Sequence, residues 1–153
     1  MLEISKKIID CFKRGNKIFW AGNGGSATMA SHASAEFVGK FEKDRKALPS
    51  IALTTDLATI TAVGNDYGYK HVFSRQLEAL GKEGDILLTL STSGTSENIT
   101  EAHRCAEKLG MEIIAFPTKT SFLPLEVNTA YVQEEHLNTI HQIAREVEGE
   151  MFS

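Results

Sequence analysis

Four short apolar runs, KIFWA (Lys17–Ala21), SIALT (Ser50–Thr54), DILLTL (Asp85–Leu90) and EIIAF (Glu112–Phe116), alternate with stretches of helical spacing. That alternation leaves few folds open. A run that is apolar on successive residues is buried on both faces, as in a parallel sheet. Strand, helix, strand, helix is the order that builds such a sheet, with helices covering both faces and right-handed crossovers. We therefore expect an α/β protein, a parallel sheet flanked by helices on both faces. The 153 residues amount to about one domain, and a single domain over 1–153 is expected.

The helices are read from apolar spacing and from their stops. Leu2, Ile4, Ile8, Ile9 and Phe12 form one helical face, closed by Gly15. An Ala- and Ser-rich helix is expected from about Ala27 to Val38, ended by Gly39. The charged stretch Lys40–Lys46 reads as a solvated connection. Asp56 caps a short helix over Leu57–Val63, and Asn65-Asp66-Tyr67-Gly68 reads as a loop. Further helices are expected over His71–Leu80, Glu97–Leu109 and Asn128–Val147, while Thr118–Val127 shows no clear period. Trp20, Tyr67 and Tyr69 read as core or rim packing.

Composition narrows the function classes. Sixteen Lys and Arg against 20 Asp and Glu give a net charge of -4. This is not the basic footprint of a nucleic-acid binder. The longest apolar stretches are too short to span a bilayer, and the charge-studded N-terminus lacks a signal-peptide run. Two cysteines, Cys11 and Cys105, make neither a disulfide scaffold nor a Cys-x-x-Cys zinc pattern. A cytoplasmic protein with no nucleic-acid or membrane partner is expected.

In parallel sheets ligands gather beyond the carboxyl ends of the strands. Two loops fall there. Ser91-Thr92-Ser93-Gly94-Thr95-Ser96 follows a strand and opens a helix, and its five hydroxyls exceed what a cap needs. A helix start offers unpaired N–H groups and partial positive charge, which suit a phosphate. The bland alternative is a capping loop. Gly22-Asn23-Gly24-Gly25-Ser26-Ala27 satisfies a loose dinucleotide fingerprint, but the acidic residue expected at the end of the second strand is missing. A nicotinamide oxidoreductase is therefore the weakest reading, one that NAD(P)H titration tests.

Two helical pairs carry further chemistry. His32 and Glu36, four apart, share a helix face and suit metal chelation, acid–base work or an ordinary surface pair. Gln133 and His141 share a stripe of the last helix, from which His136 points away as a solvated bystander.

Taken together these motifs resemble the SIS phosphosugar-binding domain, a flavodoxin/Rossmann-like three-layer sandwich. More closely they resemble the phosphoheptose isomerase family. The resemblance rests on AGNGGSA (Ala21–Ala27), SHASAEFVGKF (Ser31–Phe41), LPSIALTTD (Leu48–Asp56), VGNDYG (Val63–Gly68), FSRQLEALGKEGD (Phe73–Asp85), STSGTSEN (Ser91–Asn98) and QEEHLNTIH (Gln133–His141). It implies an aldose–ketose isomerase converting sedoheptulose 7-phosphate to D-glycero-D-manno-heptose 7-phosphate through an enediol. The product would serve heptose biosynthesis, such as that of lipopolysaccharide or capsule. It also implies a homotetramer with active sites between subunits.

Residue by residue, the resemblance implies that Ser91, Thr92, Ser93 and Ser96 hold the sugar phosphate. Asn23, Gly24, Gly25, Ser26, Asn65, Asp66, Glu36, Gln133 and Lys40 are implied to contact substrate. Lys40 stands where relatives usually carry Arg, so a two-pronged contact becomes a point charge. His32, Glu36, Gln133 and His141 match zinc ligands, one zinc per subunit, and Glu36 and His141 match the base and acid. Ala130 departs from an Asp found in some relatives, and a fifth strand is missing between Phe116 and Asn128. The alternative from another class is a non-catalytic phosphosugar sensor or tetrameric adaptor, of the kind that associates with a replication initiator. Such a protein needs the serine loop but neither Glu36 nor His141.

Overall fold

The computed structural model describes residues 1–119 and 128–153. The elements run α1 (Glu3–Lys13), β1 (Ile18–Gly22), α2 (Gly25–Val38), β2 (Ser50–Ala52), α3 (Leu57–Tyr67), a 3₁₀ turn (Tyr69–His71), α4 (Ser74–Leu80), β3 (Ile86–Leu90), α5 (Glu97–Lys108), β4 (Glu112–Ala115) and α6 (Thr129–Met151). The sheet has four strands in the order β2-β1-β3-β4. All pairings are parallel, with Ile18 opposite Ser50 and Ile86, and Ile86 opposite Glu112. The α/β architecture read from the sequence is the one observed. Among the described residues no helix is long and apolar enough to cross a membrane.

Because successive strand residues point to opposite faces, each central strand feeds two cores. Ile18, Trp20, Ile86, Leu88 and Leu90 pack with α1, α2 and α6. Phe19, Ala21 and Leu87 pack with Val63, Leu77, Ile99, Ala102 and Ala106 from α3, α4 and α5. Trp20 is fully buried, its indole N–H donating to Ser50 Oγ at 3.0 Å. Tyr67 and Tyr69, in contrast, are exposed.

Several local expectations need correction. The helix capped by Asp56 does begin there, with the carboxylate accepting from Thr59 N–H at 3.1 Å, but it runs on to Tyr67. Asn65, Asp66 and Tyr67 form its last turn rather than a loop. The expected helix His71–Leu80 is divided, a 3₁₀ turn giving way to α4. The last helix continues past Val147 to Met151 and thereby brings in Glu148.

The stretch Lys40–Lys46 is not simply solvated. The Arg45 side chain is 3% exposed and meets an equally buried Glu148 carboxylate at 2.9 Å. His136 is no bystander either. It is 1% exposed and donates from Nε2 to the Pro117 carbonyl at 2.6 Å. It belongs to the inward stripe of α6 with Val132, Ile140, Ile143 and Val147, the i, i+4, i+7 spacing that buries a helix face. The expected absence of a fifth strand, and most of the aperiodic stretch before Asn128, concern residues 120–127, which lie outside the described residues.

Candidate active site

β1 and β3 are the central strands, and the chain leaves them on opposite sides. This is the switch point where ligands settle in open α/β sheets. A cleft of about 290 Å³ lies there, lined by Asn23, Gly24, Gly25 and Ser26 after β1, by Leu90 and the hydroxyl loop after β3, and by Thr129 and Gln133. α2 starts at Gly25, α5 at Glu97 and α6 at Thr129. Three helix N-termini thus border one cleft, and their unpaired N–H groups and partial positive charges favour an anion.

The hydroxyl loop is built for more than capping. Ser96 is the residue before α5, yet its side chain makes no capping bond, and it lines the cleft beside Ser91, Thr92 and Ser93. Ser91 Oγ accepts from Gly94 N–H at 3.0 Å and Ser93 Oγ from Thr95 N–H at 3.2 Å, which folds the loop on itself. Gly94 has φ +74°, a left-handed conformation that glycine adopts at little cost.

On the facing wall, Asn23 and Asn98 exchange two amide bonds at 2.9 and 2.8 Å, and the Tyr69 hydroxyl donates to Asn23 Oδ1 at 3.1 Å. Asn98, 3% exposed, thereby ties the turn after β1 to the start of α5. Asn98 closes the STSGTSEN motif, where its position alone assigns it no role. A buried amide with so complete a partner set has no signal in sequence spacing.

Gln133 closes the cleft from α6. A Cβ at Gly25 would stand 2.7 Å from Gln133 Nε2, so glycine lets the carboxamide settle on the first turn of α2.

Further along the same two helices, His32 Nε2 lies 2.9 Å from Glu36 Oε1 and 3.1 Å from His141 Nε2. One ligand atom from each of the three falls within 4.8 Å of the others. Two imidazoles and a carboxylate, converging through their lone pairs, are a donor set that fits zinc. Phe41 stacks obliquely on His141, ring centroids 5.4 Å apart. Of the two pairs read from spacing, His32 and Glu36 meet His141, across 109 residues of sequence, whereas Gln133 lies against Gly25 in the cleft.

Lys40, Asn65 and Asp66 are exposed and are not among the residues lining the cleft. Asn65 donates to Asp66 Oδ1 at 3.0 Å. A larger hollow, about 510 Å³, opens between α3 and α4. Its polar groups are largely spent: Asp56 caps α3, and Gln76 donates to the Leu53 and Val72 carbonyls, each at 2.8 Å. Unspent donors converge on the smaller cleft.

The sheet order, the switch-point cleft and the hydroxyl loop define a SIS domain, and the SIS domain family model matches residues 1–118. A phosphoheptose isomerase of Clostridium acetobutylicum is 46% identical, over 95% of this chain and 79% of its own length. That of Synechocystis is 48% identical, over 93% and 78%. The solved structure of a phosphoheptose isomerase from Francisella tularensis superposes with a TM-score of 0.87 at 38% identity, covering 95% of this chain and 83% of the other. The chain belongs to the phosphoheptose isomerase family of SIS-domain proteins.

Proposed function

We propose that this protein is an aldose–ketose isomerase that converts sedoheptulose 7-phosphate to D-glycero-D-manno-heptose 7-phosphate. One observation carries the reading: the helix pair α2 and α6 borders the anion cleft at its N-terminal ends and holds His32, Glu36 and His141 together further along. A sugar phosphate tethered at one end is thereby presented to a carboxylate and imidazoles at the other.

In this reading Ser91, Thr92, Ser93 and Ser96 hold the phosphate, with Asn23, Gly24, Gly25 and Ser26 shaping the facing wall. Tethering fixes the reacting carbons, and such positioning supplies several kcal/mol of barrier reduction in general. Glu36 takes the proton from the carbon beside the carbonyl, and His141 supplies a proton to the carbonyl oxygen. The enediol then collapses: Glu36 returns its proton to the neighbouring carbon, and the other enediol hydroxyl gives its proton to His141 as it becomes the aldehyde carbonyl.

His32, Glu36, His141 and Gln133 are the residues that would hold a zinc ion, one per subunit. When bound, zinc supplies Lewis-acid polarisation of a carbonyl oxygen. Because a cation lowers the basicity of a carboxylate it touches, Glu36 acts best as base when it is not a tight ligand.

The reading extends to a single-domain chain over 1–153, in a cytoplasmic homotetramer with sites between subunits. Lys40, Asn65 and Asp66, exposed on this chain, would then reach substrate at a neighbouring copy's cleft.

Incubation with sedoheptulose 7-phosphate, with and without chelator, tests the reading. Heptose 7-phosphate forming in a chelator-sensitive way is the expected result. Sugar-phosphate binding without turnover, in protein loaded with zinc, would instead mark a sensor or adaptor.

A further inference from the structure

Convergence of α2 and α6 is what assembles the cluster, yet the three cluster side chains do not hold those helices together by themselves. Both helices share one apolar core, through Ala30, Ala33 and Phe37 of α2 and Ile140, Ile143 and Ala144 of α6, and one step behind the cluster a buried ion pair links the loop after α2 to α6. Arg45 lies just beyond α2, and its guanidinium turns back onto that helix. Nη2 donates to the Glu36 carbonyl at 2.6 Å, and Nη1 to the Phe37, Gly39 and Lys46 carbonyls at 2.8, 3.0 and 3.2 Å. Helix ends leave their last carbonyls without partners and carry partial negative charge, and here one guanidinium answers both.

The remaining donor, Nε, goes to Glu148 Oε1 on α6 at 2.9 Å. Glu148 accepts three more bonds: from the backbone N–H of Phe41 at 3.1 Å, Glu42 at 2.7 Å and Lys43 at 2.9 Å. Both side chains are 3% exposed. Burial on its own favours the neutral acid, but these donors hold the Glu148 carboxyl below its ordinary range.

The connections lead to the cluster from both sides. Arg45 grips the peptide carbonyl of Glu36 itself. Glu148 is seven residues beyond His141, two turns along the same face of α6. The loop clamped by Glu148 also carries Phe41, whose ring rests against His141.

We infer that Arg45 and Glu148 form a positioning clasp for the His32–Glu36–His141 cluster, setting the approach of α2 to α6 and hence the separation of the metal-binding atoms. Neither touches substrate; they act through the backbone of Glu36 and the loop bearing Phe41. The inference rests on the metal reading of the cluster proposed above.

The test is zinc affinity of the full chain, measured by competition with a chromophoric chelator, for wild type, Arg45→Lys and Glu148→Gln. Each variant keeps a donor or acceptor in the clasp, and circular dichroism identifies the folded ones. Lys cannot reproduce the planar fork that serves five acceptors. Loss of an outer partner commonly weakens metal binding about 10- to 100-fold. That loss is expected in both variants, together with a fall in kcat at nearly unchanged KM, since the hydroxyl loop is untouched. Folded variants that bind zinc as tightly as wild type overturn the clasp. A wild-type chain that binds no zinc overturns the metal reading itself, and with it the clasp's role of setting the separation of metal-binding atoms.

Discussion

The two ends of the site lie along the same helices and are built by opposite means. The anion end consists of backbone and short hydroxyls: a turn after β1, a loop after β3 and the first turn of each following helix. Apart from Thr129 and Gln133, which α6 adds, each part is local to a strand–turn–helix unit, so most of its shape follows from a few consecutive residues. The cluster end consists of long side chains, His32 and Glu36 on α2 against His141 on α6. Its shape follows from how two distant helices pack. The difference teaches that binding and chemistry are separable here, since a fault in helix packing disturbs the cluster before it disturbs the cleft.

The strongest way to break that separation is Glu36→Gln. Removal of a general base costs about 10²- to 10⁴-fold in turnover, while sugar-phosphate affinity by calorimetry stays at the wild-type value. A parallel loss of affinity would show the two ends to be one.

Ser96→Ala probes the other end. Hydrogen bonds to charged groups contribute about 1.5–3 kcal/mol, so KM rises by about 10- to 100-fold with kcat nearly constant. A fall in kcat at constant KM would contradict the phosphate assignment.

Gly25→Ala strikes where the ends meet. Its Cβ would fall 2.7 Å from Gln133 Nε2, which forces the carboxamide aside. The displaced atoms are the end of a flexible side chain, which swings away at little cost, so Tm changes by no more than about 2 °C while both kinetic constants change. Unaltered kinetics would show that the site does not depend on the carboxamide resting there.

The smallest effect concerns the anchor of α6 between its two site residues. Burial pushes the His136 pKa below the ordinary 6.5, although its bond to the Pro117 carbonyl pulls the other way. The folded chain therefore binds fewer protons than the unfolded one as pH drops through that value. Stability from this group is complete above pH 6.5 and is lost as pH falls below it. His103, which burial shifts in the same direction, adds a similar slope. Chemical denaturation between pH 5 and 7 should show a shallower pH slope for His136→Gln than for wild type. An unchanged slope would place the dependence elsewhere.

Much of this was legible in the chain. The four strands, their parallel sense and the positions of the two rim loops follow from apolar runs interrupted by glycine and hydroxyl residues. Asp56 announces its helix because a capping carboxylate acts three residues away. What misled was local polarity. Asn65-Asp66-Tyr67 has the composition of a turn, yet the preceding helix absorbs it. Lys40–Lys46 looks solvated because charge normally is, whereas Glu148, over 100 residues on, and the carbonyls at the end of α2 together satisfy a buried Arg45. His136 lies off the stripe of Gln133 and His141, and that offset reads as exposure. Set against Val132, Ile140 and Ile143, it falls on the inward stripe.

The sequence by itself determined the elements, the sheet class and the hydroxyl-lined anion loop, because periodicity and turn chemistry act over a few residues. The tertiary structure alone decided that His32, Glu36 and His141 meet, that Gln133 settles on Gly25, and that Arg45 finds Glu148. Those outcomes depend on the angle and depth at which whole helices pack against a sheet, and a packing geometry is the sum of many buried contacts rather than a property of any one stretch of chain.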